Sequence, residues 1–568
     1  MQFEAILAIL GEFGRYQKIQ FLFIYLISIP IPWCSLSNTF LSASSDHYCR
    51  VFANETFEDR SPLKNCTIPY SHDSGWDECY RYNVSLSGPG DVSPDVCFPR
   101  GEKIKCDHGW VYDRSTYENT AVFDFDLVCE KDWMKQLSKS IVGVGQLAGA
   151  LVLGQLSDIL GRKPVFFTGI ILIAIIGTGT AFVPWFYLFI VGQFLLSAVG
   201  NGVYLTAYVI GVELVGAKYR TFCSVQIMIA FSVGYMALAG IAYGLDGNWR
   251  HLQLVIGLAY LVFIPYYWLV PESARWLIQQ KKYDKAEKIL RKAAKKNKVS
   301  LPDNLFEEEK ANGKRDTTDN DVTIKPGKKQ NTMIDLFKTP NLRCRTLNLC
   351  FSWFTCSFVY YGISFNTDTL HGNPYISFLI AGAVEIPGYL SSWWACDKLG
   401  RRWSLCLCLI LSGLSLVACG LVGNSTATMV LAMVAKLFSS GAFGAVYIFS
   451  AEIFPTSVRN AGMGISSTLA RIGTVISPYV MLLVSTWTPL PYIIMGATSF
   501  LSGILTLLLP ETLKQKLPES IEEGEVFGTK KMSLQYDKED TEGQDSDEAD
   551  DTSSKTPLLS DKKNGKRY

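Results

Sequence analysis

Three charged residues stand inside apolar runs in the second half of the chain: Glu385 in AGAVEIPGYL, Lys436 in LAMVAKLFSS and Arg471 in STLARIGTV. A charge near the centre of a lipid bilayer costs about 2.5–3.5 kcal/mol on insertion scales, so it persists where it meets a cavity, a partner or an ion. A carboxylate attracts an ammonium group, and a guanidinium matches a carboxylate with parallel N–H donors. Aromatic residues lie close by in sequence. The stretch FSWFTCSFVYYGISF sets Trp353 and Tyr360 seven residues apart, on one helical face, with Tyr361 beside them. Ring faces hold quaternary ammonium ions. Together these groups could bind a small organic ion. A buried network in which Lys436 or Arg471 neutralises Glu385 is the competing reading.

Positioning them requires membrane-spanning helices. The chain has 568 residues, 48% hydrophobic and only 18% charged, and its apolar residues come in blocks. Twelve runs of roughly 20 residues, enough to cross a bilayer core, fall near 21–41, 138–157, 165–182, 186–208, 222–244, 251–270, 346–367, 375–395, 403–422, 427–450, 462–484 and 490–509. An all-α integral membrane protein of twelve transmembrane helices follows. Short basic loops carrying Arg162/Lys163, Lys218/Arg220, Lys398/Arg401/Arg402 and Arg459, and the basic segment 275–298, alternate with loops nearly free of cations. Basic loops stay in the cytoplasm, so an even span count places both termini there. The expected organisation is a cytoplasmic N-terminus (1–20), a first span (21–41), an ectodomain (42–134) and spans two to six (138–271). A cytoplasmic loop (272–345), spans seven to twelve (346–510) and an acidic disordered tail (511–568) complete it. Within the loop, KKYDKAEKILRKAAKKNK reads as an amphipathic helix packing under the bundle, with Ala286, Ile289, Leu290 and Ala293 on one face. The first run lacks the basic flank and cleavage site of a removed leader.

Six cysteines, Cys49, Cys66, Cys79, Cys97, Cys106 and Cys129, lie between the first two runs. An even number in one loop predicts three disulfides, with the pairing open. Acceptor triplets for glycosylation at Asn54, Asn65 and Asn83 share the loop. Both features belong to oxidising, extracellular space, which agrees with the charge rule.

GQLSDILGRKP, from Gly154 to Pro164, has a near copy in CDKLGRR at Cys396–Arg402, 239 residues later. The same offset pairs Gly149 with Gly388, Asp158 with Asp397, Gly161 with Gly400, Arg162 with Arg401, Tyr208 with Tyr447, Glu213 with Glu452, Arg220 with Arg459 and Glu272 with Glu511. The spans therefore form two pseudo-symmetric six-helix bundles, the architecture of carriers that rock about a midplane site. Asp158, Gly161, Arg162, Lys163, Glu213, Arg220, Glu272 and Arg275, with Asp397, Gly400, Arg401, Arg402, Glu452, Arg459 and Glu511, are expected to form a cytoplasmic latch. Arg162 and Lys163 would pair there with Glu213 or Glu272. The repeat also marks where the halves diverge. Glu385 stands opposite Gln146, Lys436 opposite Ser197, and Arg471 opposite Ser232.

GQLSDILGRKP resembles the signature loop of the major facilitator superfamily. CDHGWVYDRSTYENTAVFDFDLVCEKDW, PESARWL and AEIFPTSVRNAGMG are similar to the organic ion transporters within it, the carriers of organic cations, carnitine and organic anions, and look nearest to invertebrate organic cation transporter-like proteins. The resemblance implies the major facilitator fold. It implies that Trp353, Tyr360, Glu385 and the aromatic Tyr204 line a substrate pocket, with Gln146, Lys436 and Tyr361 as further candidates. Strict cation carriers of that family have a carboxylate where this chain has Arg471, whereas anion and carnitine-type carriers have arginine. The expectation is a plasma-membrane transporter working by alternating access on cations or zwitterions such as carnitine, with organic anions as the alternative.

Other classes fit poorly. The five histidines, His47, His72, His108, His251 and His371, show no metal-ligand spacing, and neither a GxSxG elbow nor a phosphate loop is present. No enzyme, cofactor, metal site, ATP use or nucleic-acid partner is expected. A receptor-like or adhesion protein without flux is the different-class alternative. The first run offers no carboxylate as proton acceptor, and coupling to sodium or protons is not readable from the residues.

Overall fold

The computed structural model describes residues 3–52, 55–57, 62–71, 75–84, 101–302, 305–306, 333–367, 372–515 and 517–529. Asn54, Cys97, His72, His371 and the acidic tail beyond 529 lie outside them. Twelve principal helical segments follow one another among the described residues: α1 (Arg15–Ser28), α2 (Asp132–Leu160), α3 (Arg162–Thr180), α4 (Phe186–Glu213), α5 (Arg220–Gly244), α6 (Trp249–Ala259), α7 (Pro340–Ser364), α8 (Pro374–Leu399), α9 (Arg401–Leu421), α10 (Ser425–Ile453), α11 (Arg459–Val480) and α12 (Leu490–Thr506), with α1 and α6 continued by short turns to Leu41 and Leu269. Large apolar side chains such as Val152, Ile175, Tyr187 and Leu501 point outward from them, as a lipid-facing surface requires. Nine of the segments are long and apolar enough to cross a membrane by length and composition. α7 and α8 are diluted by the polar and aromatic residues of their inner faces, and α12 is short.

Helix boundaries extend past the apolar runs. The first helix starts at Arg15 rather than residue 21, the second at Asp132 rather than 138, and the seventh at Pro340 rather than 346. Hydropathy marks where lipid would begin, whereas backbone hydrogen bonding continues into water. α1 breaks at Pro30 and Pro32, which lack amide donors, and resumes as short turns at Trp33–Leu36 and Asn38–Leu41.

The repeat is visible in the helix starts. Arg162 and Arg401, Phe186 and Ser425, and Arg220 and Arg459 each open a helix at the offset of 239. α1–α6 form one bundle and α7–α12 the other, and the two meet chiefly along α5 with α8 and α2 with α11. A side chain at Gly149 would strike the backbone of Ala198 on α4. One at the duplicate Gly388 would come within 2.6 Å of the Leu437 carbonyl on α10. Glycine at this place lets the paired helices touch backbone to backbone in each bundle.

The amphipathic segment forms a helix over Tyr283–Asn297 that buries Ala286, Leu290 and Ala293. Its apolar face packs with Ile6, Leu7 and Leu10 around an N-terminal helix, Phe3–Ile9. Among its described residues the cysteine-rich loop forms three two-stranded antiparallel ribbons: β1 (His47–Cys49) with β6 (Trp110–Tyr112), β2 (Tyr70–Ser71) with β3 (Gly75–Trp76), and β4 (Tyr80–Tyr82) with β5 (Lys103–Lys105). Disulfides join Cys49 to Cys106 and Cys79 to Cys129; Cys66 is also disulfide-bonded. Asn65 and Asn83 are exposed.

Candidate substrate-binding site

Between the bundles, level with the break in α1, lies a cavity. Ile31, Cys34 and Ser35 reach it from the broken first span, Gln146 from α2, and Asn201 and Tyr204 from α4. From the other bundle come Tyr360 and Tyr361 on α7, Tyr389 on α8, Phe443 and Tyr447 on α10, and Arg471 on α11. The repeat explains the aromatic walls. Tyr204 and Tyr208 sit one turn apart on α4, and the offset of 239 carries them onto Phe443 and Tyr447 on α10.

Arg471 is 8% exposed. Its Nη1 donates to Gln146 Oε1 at 3.1 Å and its Nη2 to Asn201 Oδ1 at 3.3 Å, while Nε has no partner. Among the described residues no carboxylate lies within 4.0 Å of the guanidinium. Gln146 Nε2 donates in turn to the Tyr361 hydroxyl at 3.2 Å. A cation with only neutral partners in a largely apolar, aromatic cavity presents an unfilled demand for negative charge.

Glu385 and Lys436 stand elsewhere. Both are fully buried and pair with each other at 3.0 Å, outside the cavity lining. Ser232 Oγ donates to Glu385 at 2.9 Å, Lys436 Nζ donates to Ser364 Oγ at 2.5 Å, and the ammonium lies 3.2 Å from the centre of the Tyr360 ring. For these two residues the geometry is that of the buried network. Tyr360 belongs to both places: it lines the cavity, and its ring carries the Lys436 ammonium. Trp353 is a packing residue: its indole meets the Tyr447 ring edge-on at 4.3 Å and donates to Ser450 Oγ at 2.8 Å. Tyr204, Tyr360, Tyr361, Gln146 and Arg471 are brought together as the sequence led one to expect. Asn201, Tyr389, Phe443 and Tyr447 were missed, although Asn201 is a polar residue within an apolar run and could have been singled out on that ground.

The basic loops fold as two copies of one cluster. Arg162 pairs with Asp158 at 2.8 Å and lies 3.7 Å from Glu213. Glu272 accepts from the backbone amides of Arg162 and Lys163, and Ser273 donates to Glu213. In the other bundle Arg401 pairs with Glu452 at 3.0 Å, Glu511 accepts from the amides of Arg401 and Arg402, and Thr512 donates to Glu452. Gly161 and Gly400 open α3 and α9 at φ +111° and +100°, where each carboxylate covers the first amides of a helix.

Some expected latch partners differ. Lys163 meets Glu272 through its amide, and its ammonium lies over the Tyr267 ring at 4.6 Å. Arg220 and Arg275 turn to Glu4 of the N-terminal helix, at 2.6 and 3.7 Å. Arg459 caps the carbonyl of Phe454, and Asp397 has no ion pair within 4.0 Å among the described residues. Among the described residues, the ion pairs of these clusters stay within one bundle. Hydrogen bonds between the bundles lie instead beside the cavity or toward the end that carries the cysteine-rich domain. They include Thr39 to the Ser364 carbonyl, Lys139 to the Phe365 carbonyl, Ser140 to the Val475 carbonyl and Tyr375 to the Thr116 carbonyl. Hydrogen bonds thus tie the bundles together at the loop-domain end, whereas among the described residues the clusters at the opposite end do not link them.

Two bundles related by a repeat, closed at one end over a central cavity with a single charged group, define an alternating-access transporter. The family model described as "Sugar (and other) transporter" matches residues 108–523. The "Organic cation transporter protein" of Drosophila melanogaster is 41% identical over 541 residues, covering 93% of this chain and 96% of that protein. The "Organic cation/carnitine transporter 2" of Homo sapiens is 34% identical over 536 residues, covering 92% and 93% respectively. Among solved structures, the xylose transporter of E. coli in a partially occluded inward-open conformation superposes with a TM-score of 0.55 at 15% identity, over 88% of this chain and 100% of that one; this likeness concerns the fold. The chain belongs to the sugar (and other) transporter family. It is a multi-pass membrane transporter with the major facilitator fold.

Proposed function

We propose that this protein sits in the plasma membrane with both termini in the cytoplasm and carries organic zwitterions of the carnitine or betaine type by alternating access, without enzymatic chemistry, ATP or nucleic acid. The reading rests on Arg471. Its guanidinium offers carboxylate-directed N–H groups to a cavity where its partners are the neutral amides of Gln146 and Asn201. The rings of Tyr204, Tyr360, Tyr361, Phe443 and Tyr447 supply faces for an ammonium group. Glu385 is already neutralised by Lys436, so a monocation would approach Arg471 without a counter-charge. The names of the relatives, one of them a carnitine carrier, support the same substrate class.

The test is uptake of labelled carnitine, tetraethylammonium and para-aminohippurate by cells expressing wild type or Arg471→Gln. Selective loss of carnitine uptake in the variant is the expected result. Tetraethylammonium uptake that dominates and survives the substitution would sink the zwitterion reading, and dominant para-aminohippurate uptake would make the protein an anion carrier.

A further inference from the structure

α7 ends at Ser364, and its last carbonyls have no helical partners of their own. Side chains of the other bundle cover them. Thr39 Oγ1 donates to the Ser364 carbonyl at 3.2 Å, and Lys139 Nζ donates to the Phe365 carbonyl at 2.5 Å. Lys139 lies on α2 and is 1% exposed, in a span where an ammonium group is costly to bury. The pseudo-symmetric position holds Phe378, an aromatic packed on Tyr235 with ring centroids 4.2 Å apart. The charge is therefore a departure from the repeat, like Arg471, but outside the cavity. A cation is favoured at a helix C-terminus, where the backbone dipoles leave partial negative charge. One turn earlier on the same helix stand Tyr360 and Tyr361, which line the cavity.

We propose that Lys139 is the gating residue of the transport cycle: its ammonium clamps the C-terminal turn of α7 from the opposite bundle and holds the loop-domain end shut, and α7 ties that clamp to the occupied state of the cavity. Opening toward the loop-domain side must break this bond and hydrate both groups. With methionine at position 139 the buried Phe365 carbonyl loses this donor only in the closed state, because water reaches it in the open one. The substitution thus shifts the balance toward opening. Thr39 contributes to the same clamp at the adjacent carbonyl, through a neutral and weaker hydrogen bond.

The cavity carries its own reporter. Cys34 lines it as a free thiol, so a membrane-impermeant methanethiosulfonate added outside reaches it only when the loop-domain end opens. Labelling rates would be measured on intact cells for wild type, Lys139→Met, Lys139→Arg and Thr39→Val, with Cys34→Ala as background. Lys139→Met is expected to label about threefold faster or more, Thr39→Val less so, and Lys139→Arg at the wild-type rate. A Lys139→Met protein at the cell surface that labels no faster than wild type overturns the proposal. If that variant does not reach the surface, an unchanged rate in Thr39→Val overturns it instead. The inference rests on the loop domain facing outward, and Cys344, exposed near the start of α7, checks this separately. Its labelling from outside would mean that the orientation is wrong, and the same rates would then be read in inside-out vesicles.

Discussion

Two hydrogen bonds cross between the bundles at positions exchanged by the pseudo-two-fold: Arg471 of α11 to Gln146 of α2, and Ser232 of α5 to Glu385 of α8. The repeat makes Arg471 the counterpart of Ser232, and Glu385 the counterpart of Gln146. Each contact thus joins one charged residue of the second bundle to one neutral residue of the first. Their surroundings differ. Glu385 is 0% exposed and has Lys436 at 3.0 Å, whereas Arg471 faces the cavity with amide partners alone. The same backbone scaffold yields a self-neutralised girder on one side and an open charge on the other. Burial with neutral partners alone is what sets Arg471 apart from the Glu385–Lys436 pair.

The largest expected effect breaks the girder. Glu385→Gln leaves the Lys436 ammonium buried without its carboxylate, and removing one member of a buried pair typically costs about 3–5 kcal/mol. Thermal unfolding in detergent should show a large loss that Glu385→Gln with Lys436→Met largely restores. A single variant as stable as wild type would dissolve the distinction between the two sites. Next in size, Arg471→Gln should leave stability nearly unchanged and lower carnitine uptake about tenfold or more, because hydrogen bonds to charged groups contribute about 1.5–3 kcal/mol. Collapse of the protein instead would place Arg471 with the girder.

The duplicated clusters extend the comparison to places where the halves agree. Gly161 and Gly400 both adopt backbone conformations near φ +100° and ψ +160° that only glycine enters readily. Alanine at either should cost about 1–3 kcal/mol, to a similar degree, in unfolding experiments. Unequal losses would show that the copies have diverged in role. The smallest effect belongs to the loop domain. The Arg81 guanidinium, 2.8 Å away, holds the Asp107 carboxyl below its ordinary range. A depressed carboxylate contributes stability above its unfolded pKa and loses it as pH falls through the folded value. Asp107 is half-exposed, so the contribution is ~0.2–1 kcal/mol. Wild type should lose that increment below about pH 4, and Asp107→Asn should not.

Much of the fold was legible because lipid imposes a strong rule on sequence. Apolar runs gave the helices, although not their polar ends, and the loop cysteines marked the stapled domain. The offset of 239 announced the two bundles through glycines and charges that recur for the same reason in each, such as Gly149 and Gly388 at the close approach of paired helices. The site was legible in part. Arg471, Tyr204, Tyr360 and Tyr361, which line the cavity, stand out in the sequence because charge and aromaticity inside a span are conspicuous. Trp353 was misplaced because a seven-residue spacing fixes the side of a helix but not which neighbour that side meets. Tyr389 and Phe443 were passed over because nothing local distinguishes a residue that lines a cavity from one that packs, whereas Asn201 carried a local signal, its polarity within an apolar run.

What the sequence by itself determined is what depends on short range or on repetition: the spans, the stapled loop, the duplicated clusters and the presence of three intramembrane charges. Only the tertiary structure decided which of those charges is satisfied, since Glu385 and Lys436 are 51 positions apart in sequence and 3.0 Å apart in space. It also decided that the basic clusters stay within their bundles while Lys139 and Thr39 bridge the bundles at the other end. The physical reason is the steepness of electrostatics in a medium without water. A few ångströms separate a neutralised ion from one that binds, and those ångströms are set by how α7, α8, α10 and α11 pack.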